Sequence, residues 1–188
     1  MVVVMHNHSI NIVLIGFSGS GKSSVGKLLA PRVGFSFVDL DVQIESAHKD
    51  HTGNVLTCRQ IYSEFGQEYF DKLAFEAFGF LKGRTGIVLS TGGGAITVVD
   101  IRYAMKDFGT VFYLDTKPEI IFKRLQKRGF PQFLKSDATL DNVKKHWDMR
   151  NGLYSETAHY RIDNSLQTPK ETVDEIMKNL QHIEKGDR

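Results

Sequence analysis

Apolar positions along the chain follow two rhythms. Short apolar runs bounded by glycine or aspartate read as buried strands. Between them, apolar residues return every three or four positions, the spacing of one helix face. The run INIVLIG at 10–16 is the first strand, and after the glycine-rich loop behind it Val25, Leu28 and Leu29 recur at helical spacing. A second strand at 35–38 runs into Asp39-Leu40-Asp41, and 58–81 is helical and rich in aromatics. A third strand at 86–90 closes on Gly92-Gly93-Gly94, with a helix from about residue 97, and a fourth spans 110–115. Thr116 and Glu119 have the spacing of a capping box opening a helix that turns Ile120, Ile121 and Leu125 inward. Residues 129–138 show no period and contain Gly129 and Pro131, the composition of a mobile lid. A helix to about 154, a fifth strand at 160–163 and a second capping box at Thr168 and Glu171 complete the chain, the last helix burying Val173, Ile176, Met177 and Leu180. Strands alternating with helices predict an α/β fold: about five parallel strands with helices on both faces, three layers in one domain spanning 1–188. Ligands of such sheets collect at the carboxyl ends of the strands. Loops 16–23, 39–41 and 91–95 all fall there and point to a single site.

Composition narrows the setting. Of 188 residues, 41% are hydrophobic and 24% charged, the balance of a globular protein with a real core. The formal net charge of +2 is too small for a broad nucleic-acid or membrane footprint, so neither partner is expected. Cys58 is the sole cysteine and cannot form an internal disulfide, which fits a reducing cytoplasm. The stretch MVVVMHNHS lacks the basic segment and long apolar run of a signal peptide, and no stretch approaches the ~20 apolar residues of a membrane helix.

The most informative motif is Gly16-Phe17-Ser18-Gly19-Ser20-Gly21-Lys22-Ser23, followed by Ser24. It matches G-x-x-x-x-G-K-[ST], the P-loop, and lies between a strand and a helix as that motif requires. Its glycines let successive N–H groups face a phosphate, and the helix behind adds its positive end. ATP is therefore expected on Gly16, Gly19, Ser20, Gly21, Lys22, Ser23 and Ser24. Lys22 would reach the β- and γ-phosphates and Ser23 would stand on Mg2+. Asp39 and Asp41 can serve the metal side and the acceptor hydroxyl; alternatively Asp41 simply caps a helix over 42–48. Gly92, Gly93 and Gly94 read as a backbone wall for the phosphate acceptor. The basic cluster Lys123, Arg124, Lys127 and Arg128 reads either as a solvated helix face or, from its place beside the lid, as a nucleotide contact, with Arg128 assigned to the nucleotide. Asp107-Phe108-Gly109 reads as a helix end, His48 and His51 as exposed loop residues, and Phe65, Tyr69, Phe70, Leu73, Phe80 and Trp147 as packing.

GFSGSGKSS, D-L-D, T-G-G-G-A and Arg150-Asn151-Gly152-Leu153-Tyr154 occur in an order and spacing that resembles the shikimate kinase family, over about residues 10–180. The resemblance implies a P-loop NTPase fold with an acceptor lobe at about 42–80 and a lid at about 126–138. It implies ATP and Mg2+, with Lys22 and Ser23 on the phosphates and metal, Asp39 on the metal side and Asp41 as base at the acceptor hydroxyl. Gly92, Gly93 and Gly94 would line the acceptor and Arg150 would bind its carboxylate. A monomer acting on a small-molecule acceptor follows, with shikimate first. The alternatives are another hydroxylated acceptor, gluconate-like or other, and a non-catalytic nucleotide-binding regulator. The chain departs from the family pattern at Asp71 and Ala74, where that pattern has an arginine and a glutamate, so Arg150 would hold the carboxylate with less help. At the lid, Phe130-Pro131 replaces arginine-proline, leaving Arg128, Arg124 or Lys135 to supply charge.

Overall fold

The computed structural model describes residues 11–184, so the amino-terminal stretch weighed above as a signal peptide lies outside the described residues. Strands β1 (Ile12–Ile15), β2 (Ser36–Asp39), β3 (Ile87–Ser90), β4 (Thr110–Asp115) and β5 (Tyr160–Asp163) form one parallel sheet in the order β2-β3-β1-β4-β5. Among the described residues seven helices connect and cover them: α1 (Lys22–Val33), α2 (Leu40–Thr52), α3 (Cys58–Gly79), α4 (Val99–Phe108), α5 (Pro118–Arg128), α6 (Leu140–Thr157) and α7 (Pro169–Glu184). Side chains alternate between the two faces along each strand. Ile12 and Leu14 join Phe112, Leu114 and Ile162 beneath α1 and α7. Val13 and Ile15 join Leu89, Val111 and Tyr113 beneath the remaining helices. The central strand β1 is buried on both faces, and the chain leaves it toward β2 on one side and later β4 on the other. That reversal opens a crevice at its carboxyl end, where a ligand has room. No described helix is long and apolar enough to cross a membrane.

Several local expectations are corrected. The box at Thr116 does not form, because the Thr116 hydroxyl is drawn to Asn164 Oδ1 and Glu119 pairs with Lys144 at 3.1 Å. The box at Thr168 forms, with Thr168 N donating to Glu171 Oε2 at 2.7 Å. A third box, Thr57 with Gln60, opens α3 and was not foreseen. The helix expected from about residue 97 is a 3-10 turn at Ala95–Thr97 followed by α4. Leu28, Phe65 and Phe80 are exposed, and Ile120 is only partly buried. His48 is no loop residue: it is buried in α2, with Nδ1 at 3.0 Å from the Tyr69 hydroxyl. Within 129–138 there is a 3-10 turn, Gln132–Leu134, and Leu134 is fully buried.

The feature that most shapes the lobe expected to hold the acceptor is a bend in α3. Gly66 has φ 79° and ψ 179°, a region essentially confined to glycine. The bend lets two segments of one helix face the same cavity, Arg59 and Tyr62 from the first and Gln67, Phe70 and Asp71 from the second. A Cβ at Gly66 would meet nothing within 4 Å, so the cost of replacing it is purely conformational. Gly66→Ala is expected to lower stability by about 1–3 kcal/mol, seen as a reduced urea midpoint with an unchanged m-value.

Candidate active site

The loop after β1 closes around a lysine. Gly21 (φ 101°) starts α1, and Lys22 as its first residue turns back into the loop. Lys22 Nζ donates to the carbonyls of Gly16 at 2.7 Å and Phe17 at 2.9 Å, and the side chain is buried. Burial lowers its pKa to about 8, opposed by the charges of Asp41 and Asp39. The outside of the loop is held by Asn164, whose amide donates to Ser20 O at 2.7 Å, and by Arg124, which donates to the carbonyls of Gly19 and Ser20. Arg124 is thus engaged with the loop backbone, while Arg128, four residues on, lines the cleft in front of it.

Ser23, one residue into α1, donates to Asp39 Oδ2 at 2.7 Å and lies 3.1 Å from Ser90 Oγ at the end of β3. This cluster of hard oxygens suits Mg2+, which takes a few protein oxygens and completes its shell with water and phosphate. The other oxygen of Asp39 accepts from Asp41 N at 3.2 Å, so Asp39 is the N-cap of α2. The capping alternative weighed for Asp41 therefore belongs to Asp39, and the Asp41 carboxylate is left to face the crevice. Burial, reinforced by the charge of Asp39 and opposed by Lys22, raises the Asp41 pKa to about 6.

Two depressions meet at Asp41. The first, a cleft of about 230 Å³, is lined by Gly19, Gly21, Lys22, Ser23, Ser24 and Asp39. It extends outward past Arg124, Arg128 and Asn164, where Ser20 also contributes. The second is a cavity of about 320 Å³ whose walls include Tyr62, Asp71, Gly94, Phe133 and Arg150. Ser18, Asp41, Gly92 and Gly93 line both. A Cβ at Gly92 would overlap Asp41 Oδ1, and one at Gly93 would stand 2.6 Å from Ser18 Oγ; at Gly94 it would meet nothing within 4 Å. The expected glycine wall is thus two positions of enforced closeness and one of open space. Tyr154 fixes it from behind, its hydroxyl donating to Gly93 O at 2.7 Å. Gly16 lines neither depression and serves through its carbonyl on Lys22.

Arg150, on α6, lays its guanidinium over Phe133 at 4.1 Å and near Phe17 at 5.6 Å. Its Nη1 is buried without a hydrogen-bond partner among the described residues. A buried guanidinium N–H lacking an acceptor is costly, and an anionic ligand would supply one.

A family model described as shikimate kinase matches residues 18–181. The chain belongs to the shikimate kinase family. A shikimate kinase of Thermodesulfovibrio yellowstonii is 35% identical over 94% of this chain and 98% of its own length. One of Persephonella marina is 36% identical over 89% and 96%. Among solved structures, shikimate kinase from Acinetobacter baumannii in complex with shikimate superposes with a TM-score of 0.83 at 30% identity, covering 92% of this chain and 93% of that one. The Aquifex aeolicus shikimate kinase gives 0.75 at 31% identity, covering 94% and 99%.

Within this shikimate kinase fold the departures have a definite setting. Asp71 lines the larger cavity, its pKa raised by burial. Lys72 pairs instead with Glu68 at 2.8 Å on the exposed face and does not neutralise Asp71. Ala74 is buried in the core. Reading the motif missed Ser18, which occupies one of its variable positions, and Arg59, whose only signal is its i,i+3 relation to Tyr62 on α3. Gly92→Ala should displace the Asp41 carboxylate and lower ATP-dependent turnover on the order of 100-fold. The urea midpoint should stay close to wild type, measured on the same preparation.

Proposed function

We propose that this protein transfers the γ-phosphoryl group of ATP to a hydroxyl of shikimate, giving ADP and shikimate 3-phosphate. The observation that carries the reading is the meeting of a cleft lined by the P-loop and an arginine-bearing cavity at one carboxylate, Asp41. Family membership and the fold of the Acinetobacter baumannii enzyme, solved with shikimate, support the same acceptor.

In this reading the ATP phosphates lie along the loop amides of residues 19–24, with Ser24 and Arg128 toward the outer end. Lys22 exchanges its carbonyl partners for phosphate oxygens and offsets the charge that builds on the transferring group. Ser23 and Asp39 would hold Mg2+, which when bound neutralises charge on the β- and γ-phosphates. Shikimate occupies the larger cavity against Gly92, Gly93 and Gly94, its carboxylate on Arg150. Its hydroxyl oxygen attacks the γ-phosphorus in line and passes its proton to Asp41. The bond from the γ-phosphorus to the bridging oxygen breaks, and its electron pair leaves with ADP. The acid Asp71 in the cavity favours one rival, an uncharged hydroxylated acceptor. A coupled ADP-release assay across shikimate, gluconate, polyols and nucleoside monophosphates decides between them. Shikimate is expected to give the highest kcat/KM, and turnover of a polyol without turnover of shikimate would overturn the proposal.

The pKa shifts set a pH profile. Below about 6 Asp41 is protonated and cannot take the hydroxyl proton; above about 8 Lys22 loses its charge. A plot of kcat/KM against pH is expected to be bell-shaped with limbs near those values, and Asp41→Asn should abolish the acidic limb together with most of kcat. Lys22→Ala is expected to lower kcat/KM for ATP by at least about 100-fold, a loss of roughly 3 kcal/mol of transition-state stabilisation, in steady-state kinetics.

A further inference from the structure

Resting on the shikimate reading, we infer that Arg59 is a second substrate-binding residue, clasping the acceptor carboxylate together with Arg150. Arg59 stands in the first turn of α3 and lines the acceptor cavity but not the phosphate cleft. Its side chain is exposed, but the backbone that carries it is held close to Asp41. The neighbouring Cys58 donates its backbone N–H to Glu45 Oε1 at 2.9 Å and its thiol to the carbonyl of Asp41 at 3.2 Å. The Thr57–Gln60 capping box locks the same turn. Among the described residues no carboxylate lies within ion-pairing distance of Arg59. Its Nη2 lies 4.0 Å from where a Cβ of Gly129 would stand, so the guanidinium reaches toward the start of the 129–138 segment, of which Pro131, Gln132 and Phe133 line the same cavity.

The charge pattern of the cavity points to a carboxylate. Of its two acids, Asp41 stands at the junction with the phosphate cleft and Asp71 lies on the segment of α3 beyond the Gly66 bend, apart in the chain from Arg59. Its two arginines are unengaged, since Arg150 Nη1 is buried without an acceptor and Arg59 has no acidic partner. A carboxylate offers two oxygens and can accept from both guanidinium groups at once. The wall that carries Asp71 supplies no cation, so the second arginine comes from the other side of the Gly66 bend.

The test is steady-state kinetics at saturating ATP with shikimate and its methyl ester, on the full-length wild-type protein and on Arg59→Met, Arg59→Lys and Arg59→Met with Asp71→Arg. Arg59→Met should raise KM for shikimate at least about tenfold, leave KM for ATP within about twofold, and shrink the wild-type preference for acid over ester by the same factor. Arg59→Lys should fall between, and Asp71→Arg should recover part of the loss by placing a cation on the opposite segment of α3. Equal losses on acid and ester, or none on either, would overturn the inference while leaving shikimate as substrate. A wild-type protein that turns over ATP with another acceptor but never with shikimate would remove the functional reading and this inference together. Should Arg59→Met lower the thermal midpoint, Arg59→Gln provides the same acid-to-ester ratio without the apolar tip.

Discussion

Burying an ammonium costs several kcal/mol in a medium of low polarity. For Lys22 that cost is offset by two carbonyls of its own loop and by the nearby charges of Asp39 and Asp41. The rest of the ligand-binding edge is arranged around this balance. The loop must curl to bring both carbonyls to Nζ, and β1 must end where the carboxylates at the end of β2 can offset the same charge. Asp39 divides its two oxygens between Ser23 and the backbone of Asp41. One cation thereby organises a loop, the start of two helices and the ends of two strands. The carboxylate least satisfied by this arrangement, Asp41, is the one left at the junction of the two depressions.

The donor and acceptor sides are built differently. The phosphate loop is clamped from outside by Arg124 and Asn164 and from inside by Lys22, and it grows from a strand buried on both faces. The acceptor cavity draws its walls from a bent helix, a glycine turn and the 129–138 segment, where Phe133 packs edge-on against Phe17 at 5.9 Å. Adjustment to a substrate therefore falls to the acceptor side, because displacing the loop would expose a buried charge.

The sheet was legible in the sequence because parallel strands covered on both faces must be apolar throughout, as IVLI at 12–15 and IVLS at 87–90 are. The phosphate loop was legible because its chemistry is contained in one contiguous segment. What sequence reading missed depends on partners distant in the chain. Whether Asp39 or Asp41 caps α2 is decided by Ser23, sixteen positions away. The capping box at Thr116 is undone by Asn164, whose arrival at the end of β5 no local pattern announces. Gly66 reads as part of a helical run, and only its backbone angles reveal the bend. Arg59 is one more charge on a helix until that bend turns it into the cavity.

The hydrogen bond from Cys58 to the Asp41 carbonyl has a chemical consequence of its own. The thiol is partly buried, and burial together with the charges of Asp41 and Glu45 pushes its pKa far above the usual thiol range. At neutral pH almost none of it is thiolate, the form that alkylates, exchanges with disulfides or takes up peroxide. Here burial and the neighbouring carboxylates keep the Cys58 thiol protonated, so electrophiles and oxidants should react slowly at this cavity.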